Sequence, residues 1–259
     1  MGNSTIAINA RRNFLKFAGT GFAGATAFAI PSLAEGSQHS ELAGHAQKGI
    51  FNVSSFGASG DGRTVDSPAI NRAIDAAAAS GGGMVHFPAG QYLCYSIRLK
   101  SNITLHLGAG AVVIAADPLA EGQSGGYDDP EPPQPWEAYQ DFGHNHWHNS
   151  LIWGEGLNNI SILGPGRIWG TGLVRANGPN SRNSQQRRIQ GVGNKSIALK
   201  KCHNVLLKDF QILQGGWFGI LATGVDNLTI DGLTIDTNRD GMDIDCCRNV
   251  RVTNCAVNS

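Results

Sequence analysis

Asn204-Val-Leu-Leu-Lys-Asp-Phe-Gln-Ile212, Asn227-Leu-Thr-Ile-Asp-Gly-Leu-Thr-Ile235 and Asn249-Val-Arg-Val-Thr-Asn-Cys-Ala-Val257 repeat one pattern. Asn204 to Asn227 is a step of 23 residues, and Asn227 to Asn249 one of 22. Asn159-Ile-Ser-Ile lies 45 residues before Asn204, two steps away, and Asn102-Ile-Thr-Leu starts another copy. The apolar positions agree from copy to copy: Val205, Leu228 and Val250, then Leu207, Ile230 and Val252. After a short corner come Phe210, Leu233 and Cys255, then Ile212, Ile235 and Val257. Short alternating strands at a fixed period indicate a solenoid, whose units bury their apolar face only by stacking on neighbours. The period is too short for a propeller blade, has no helical unit and lacks a leucine-rich consensus. The expected fold is therefore all-β, a right-handed parallel β-helix.

Asparagines stacked at one corner of successive turns can hydrogen-bond along the stack through their side-chain amides. That reading also covers Asn102-Ile-Thr104, Asn159-Ile-Ser161 and Asn227-Leu-Thr229, which match the N-glycosylation acceptor pattern. They are better read as ladder positions followed by an outward hydroxyl.

The repeat is interrupted at Asn238-Arg239-Asp240-Gly241-Met242-Asp243-Ile244-Asp245. Carboxylates crowded on one strand repel each other, so a purely structural sheet gains nothing from them. One reading is an acidic, solvated turn, since Asp-Gly pairs favour turns. The other is a hydrolytic site, because cleavage of a glycosidic bond uses carboxylates at fixed spacing. Strict alternation with Met242 and Ile244 buried would bury Asp240 as well. A backbone break at Gly241 is expected to reset the parity.

The chain has 259 residues, 20 basic and 20 acidic side chains and 35 glycines. Neutrality argues against a nucleic-acid partner, which calls for a basic footprint. Glycine suits a fold with many tight corners. Ala10-Arg11-Arg12-Asn13-Phe14-Leu15-Lys16 precedes a small, apolar run to Ile30 and a small-residue cleavage site at Ser32-Leu33-Ala34. Residues 1–34 thus resemble a twin-arginine export signal, implying a periplasmic or extracellular protein with no stable membrane anchor after cleavage. Residues 35–48 read as a linker and 49–259 as the β-helix domain. Cys94, Cys202, Cys246, Cys247 and Cys255 are odd in number and unevenly spaced, which does not suit a disulfide framework. Cys202, Cys247 and Cys255 sit within repeats, where packed core thiols are expected.

Ser67-Pro68 supplies an N-cap and a first-turn proline for a helix through about Ala79, ended by Gly81-Gly82-Gly83. This helix is placed to cap the open end of the solenoid core. The glycine loop 57–62 reads as a turn. Two insertions break the rhythm, 117–149 and 174–190. The first carries Tyr127, Trp136, Tyr139 and Trp147, candidates to stack on sugar rings, and His144, His146 and His148. Three alternate histidines would share one face of a strand, as a metal site requires, but scattered loop histidines are commoner. Neither a metal nor a cofactor is expected. The second insertion carries Arg182, Arg187 and Arg188, which could meet an acidic polymer.

Several segments resemble pectin-degrading β-helix enzymes: Phe51-Asn-Val-Ser-Ser-Phe-Gly-Ala-Ser-Gly-Asp-Gly-Arg-Thr-Val-Asp66, Ala69-Ile-Asn-Arg-Ala-Ile-Asp75 and Gly81-Gly-Gly-Met-Val-His-Phe-Pro-Ala-Gly-Gln-Tyr92. Asn238-Arg239-Asp240-Gly241 resembles the Asn-Thr-Asp-Gly signature of polygalacturonases, glycoside hydrolase family 28, with Arg239 where threonine is usual. The resemblance implies inverting hydrolysis of a pectic polysaccharide, galacturonan or rhamnogalacturonan. It makes Asp240 a water-activating residue, with Asn238 and Asp243 in substrate-binding roles. In that family an Asp-Asp pair one turn later supplies the general acid, and a His-Gly and an Arg-x-Lys bind the uronate. Those motifs do not occur before Ser259, so the sequence reads as the N-terminal part of such an enzyme, inactive alone and prone to associate. A calcium-dependent β-helix lyase and a non-catalytic carbohydrate-binding β-helix are the alternatives.

Overall fold

The computed structural model describes residues 49–119, 123–132, 134–135, 142–174, 190–237 and 239–259. The expected signal segment and linker lie outside them, as do Trp136, Tyr139, Arg182, Arg187 and Arg188. From Ile50 the chain coils through three parallel sheets of seven, seven and five strands, whose neighbours are successive turns. In the last full turns, Asp226–Asp231 and Arg248–Thr253 belong to the first sheet, Thr234–Asp236 and Ala256–Asn258 to the second, and Phe218–Thr223 and Asp240–Asp245 to the third. The architecture is the right-handed parallel β-helix expected from the repeat.

The register follows the aligned columns: Val205 pairs with Leu228 and Leu228 with Val250, Leu207 with Ile230 and Ile230 with Val252. Val205, Leu207, Leu228 and Ile230 are buried in one continuous core with Phe210, Ile212, Leu233 and Ile235. Cys202 is buried there, Cys247 and Cys255 pack against it half-buried, and all five thiols are free.

The asparagines form the ladder. Asn159 donates to Asn102 at 2.9 Å, Asn204 to Asn159 at 2.9 Å, Asn227 to Asn204 at 2.9 Å and Asn249 to Asn227 at 3.0 Å, each through Nδ2 to Oδ1. All five residues are left-handed, with φ between 54° and 63°. Asparagine is one of the few side chains that tolerates this conformation, so the same residue turns the corner and links the turns.

The helix runs Ser67–Ala79, with Ile70, Ala73, Ile74 and Ala77 buried on its apolar side. It occupies the first turn between Asp61–Val65 and Gly83–Phe87, where later turns place a third-sheet strand, and so covers the end of the core. Its N-cap is Asp66, not Ser67. The buried Asp66 carboxylate instead accepts the N–H groups of Ser59 (2.6 Å) and Gly60 (3.0 Å), organising the glycine loop. The Ser67 hydroxyl accepts from the Tyr95 N–H at 3.0 Å. A long-range backbone donor thus takes the hydroxyl that local sequence assigned to the cap. No helix among the described residues is long and apolar enough to cross a membrane.

Candidate functional site

Both insertions leave the helix at one corner, between a second-sheet strand and the next third-sheet strand. Residues 117–149 separate Ala111–Ala115 from Ile152–Glu155, and the second insertion separates Arg167–Trp169 from Lys195–Lys200. On later turns the same corner is short and leads into Phe218–Thr223 and Asp240–Asp245. The start of the third sheet is therefore next to the points where both insertions join the β-helix.

The alternation breaks at this corner, as expected. Phe218 pairs with Asp240 and Ile220 with Met242, while Gly219 and Gly241 fall between the paired positions. A β-carbon on Gly241 would collide with Val257 and approach Ile235, so this position faces the core. Met242 and Ile244 also pack on the core, so residues 241 and 242 both face inward in succession. Asp240 is thereby turned out, with its side chain 47% exposed. Asp243 and Asp245 share the outer face by ordinary alternation. Asn238 lies outside the described residues.

Beneath these carboxylates is an aromatic floor. Trp147, Ala198, Trp217, Phe218 and Leu221 form an apolar cluster outside the main core. Trp217 and Phe218 rings lie parallel, with centroids 6.0 Å apart. The Arg239 guanidinium sits 4.4 Å over Trp217 and 5.4 Å from Phe218, and its Nε is 3.4 Å from Asp240 Oδ2. His144, from the short helix Phe142–Asn145, packs against Phe218 at 4.8 Å between centroids. Its Nε2 is 3.3 Å from Asp243 Oδ2. Burial pushes the Asp243 carboxyl above its ordinary range, opposed by His144 and reinforced by Asp240 and Asp245. In line with Phe218 on the preceding turn is Lys195, fully buried, its ammonium held by the side-chain amide oxygens of Asn149 and Asn194.

The three histidines of the first insertion do not share a face. His144 meets Asp243, His146 is fully buried and His148 joins a separate ionic group. There His148 Nε2 is 3.0 Å from Glu155 and 3.6 Å from Glu131, and Lys200 Nζ is 2.9 Å from Glu155. Burial works against ionisation of Glu155, but Lys200 and His148 outweigh it and hold its carboxyl below the usual range. Glu131, His148 and Glu155 bring three possible ligand atoms within 4.8 Å of one another. Lys200 already pairs with Glu155 there at 2.9 Å and lies 4.0 Å from Glu131.

Two of the expected sugar platforms are structural. Tyr127 is buried, its hydroxyl donating to Ala116 O at 2.8 Å. Trp147 is 7% exposed, its indole N–H donating to Thr223 Oγ1 at 3.1 Å and its ring lying 4.2 Å under the Lys200 ammonium. Trp147 lashes the insertion across the third sheet. Sequence reading missed Phe218, Lys195 and the pairing of His144 with Asp243. One signal was available: Trp217-Phe218-Gly219-Ile220 and Arg239-Asp240-Gly241-Met242 carry glycine at the same place of successive turns.

The family described as rhamnogalacturonase A/epimerase, pectate lyase-like, matches residues 50–259. A probable polygalacturonase of Vitis vinifera is 25% identical over 214 residues, covering 78% of this chain and 41% of that protein. The mannuronan C5-epimerase AlgE3 of Azotobacter vinelandii is 59% identical over 46 residues, covering 18% of this chain and 2% of that protein. The family 28 exopolygalacturonase of Yersinia enterocolitica superposes with a TM-score of 0.65 at 25% identity, over 80% of this chain and 43% of that one. The chain thus spans less than half the length of each of these relatives.

Proposed function

The chain belongs to the rhamnogalacturonase A/epimerase, pectate lyase-like family, and from that membership we propose that it serves hydrolysis of O-glycosidic bonds in a pectin-type polysaccharide, galacturonan or rhamnogalacturonan. The observation that carries this reading is the break at Gly241, which puts Asp240 on the same exposed face as Asp243 and Asp245. Asp240 activates the attacking water, Asp243 accepts hydrogen bonds from sugar hydroxyls, and Asn238 supports Asp240. In inversion the water attacks opposite the departing oxygen, whose proton comes from a second carboxyl group about 6.5–9.5 Å away. Arg239 brings positive charge to a face that would otherwise repel a polyuronate. Residues 1–34 serve as an export signal, placing the protein where such polymers occur.

The test incubates polygalacturonate with the full-length protein and with its Asp240→Asn variant, and measures reducing ends. Hydrolysis predicts release by the wild type and a loss of about 10²–10⁴-fold in the variant, the usual scale for general acid–base help. A variant of near-normal rate removes Asp240 from the mechanism.

The short, 59% identical match to a C5-epimerase favours one second reading, removal of the uronate C5 proton, as a lyase or epimerase would do. Unsaturated, ultraviolet-absorbing ends that require calcium would select the lyase, and exchange of the C5 proton with solvent without chain cleavage would select the epimerase. Binding without any of these products would select a non-catalytic carbohydrate-binding role.

A further inference from the structure

His144 is brought to the carboxylate face by an insertion that has no counterpart in the repeat. Its place there is fixed twice, by the Phe218 ring at 4.8 Å and by Asp243 Oδ2 at 3.3 Å. Asp243 Oδ2 is shut off from solvent, and His144 Nε2 reaches it at 3.3 Å. The imidazole is therefore the group that meets the buried oxygen. The contact is longer than the ~2.7–2.9 Å of a charge-assisted hydrogen bond. The neighbouring contact repeats the arrangement. Arg239 lies over the same Phe218 ring and approaches Asp240, so one aromatic side chain braces an imidazole and a guanidinium against two carboxylates.

We propose that His144 is a positioning residue for this site: its imidazole, braced on Phe218, holds the Asp243 carboxylate in place on the outer face beside Asp240. This inference rests on the hydrolytic reading above. The charged groups facing Asp243 are Asp240 and Asp245 on its own strand and His144 from the insertion, with Arg239 facing Asp240. Of these, His144 alone favours the ionised form of Asp243 directly. Without it, burial and the two aspartates act unopposed, and Asp243 holds its proton to higher pH. A carboxylate needed as an acceptor for sugar hydroxyls is then lost over the acid part of the working range.

Two measurements test this on the full-length protein: the ¹³C titration of the Asp243 carboxyl, and the pH profile of polygalacturonate cleavage. Both are made for wild type, His144→Ala and His144→Gln. In His144→Ala the Asp243 midpoint should rise, and the acid limb of kcat/KM should move to higher pH with it. His144→Gln, which keeps a donor but cannot take up a proton, should place the carboxylate while leaving part of the shift. An unmoved Asp243 midpoint, or a loss of rate that is uniform across pH, makes His144 a packing residue and overturns the proposal. A wild type that neither binds nor cleaves polygalacturonate, with the midpoint still moving, sinks the hydrolytic reading and supports the pairing.

Discussion

The carbonyl oxygen of Gly241 lies 2.6 Å from the point where a β-carbon on Gly219 would stand. Adjacent turns therefore touch backbone to backbone where both strands break their alternation. At Gly241 the added carbon would meet the Val257 side chain, which is half exposed and can rotate away.

The two alanine substitutions should consequently differ. Gly219→Ala must move backbone and should cost about 1–3 kcal/mol, the range for overpacking. Gly241→Ala meets a movable side chain and recovers about 0.4–1 kcal/mol from the unfolded chain, so its net effect should be small. Urea denaturation of both variants measures the difference. Equal destabilisation would mean that the turns are not in backbone contact here. Gly219→Ala should also lower cleavage, because the strand that presents Asp240 shifts with it.

Asp243 should cost stability at neutral pH. Its folded carboxyl titrates above its ordinary value, chiefly through burial, so the folded state binds the proton more tightly than the unfolded chain does. Its contribution is then favourable below the unfolded carboxylate range, near 3.9, and declines as pH rises through the folded value. Asp243→Asn should raise Tm at neutral pH, and its advantage over wild type should shrink towards acid. A variant less stable than wild type at neutral pH would show that His144 overcompensates the burial.

In the asparagine ladder, Asn204 is held at φ 57° between Asn159 and Asn227. Asn204→Gly removes the amides and keeps the conformation, whereas Asn204→Ala also strains it. Left-handed geometry costs a residue with a β-carbon about 1–2 kcal/mol. Alanine should therefore be the worse variant by about that amount in thermal or urea unfolding. Equal effects would assign all of the ladder's contribution to its hydrogen bonds.

Trp147→Ala should destabilise by about 3–5 kcal/mol, as loss of a buried tryptophan does. Trp147→Phe keeps most of the ring and loses the bond to Thr223, at about 0.5–1.5 kcal/mol. Calorimetry with oligogalacturonate at a temperature where both variants remain folded should give near-normal affinity for Trp147→Phe. A large drop in affinity with little change in stability would restore the sugar-stacking role to Trp147.

The sequence by itself determined the architecture. A period of 22 and 23 residues, apolar columns such as Val205, Leu228 and Val250, and an asparagine at each corner leave few other ways to bury one face. The stretch Ser67–Ala79 was likewise legible as a helix, because its first-turn proline and its apolar stripe are local. The demand for a break at Gly241 could be stated from parity, since Asp240 and Met242 cannot both be accommodated by strict alternation.

Only the tertiary structure decided what meets that break. His144, Trp147 and Tyr127 lie in an insertion with no period, so no repeat fixes where they land, and their places follow from what the third sheet already presents. That is why His144 pairs with Asp243 while Trp147 and Tyr127 are buried. The same holds for Asp66, which caps the helix while its carboxylate binds Ser59 and Gly60. A periodic sequence sets the strand register because each turn must match its neighbour, but a side chain entering from outside the period is placed by long-range packing and charge, which no local spacing records.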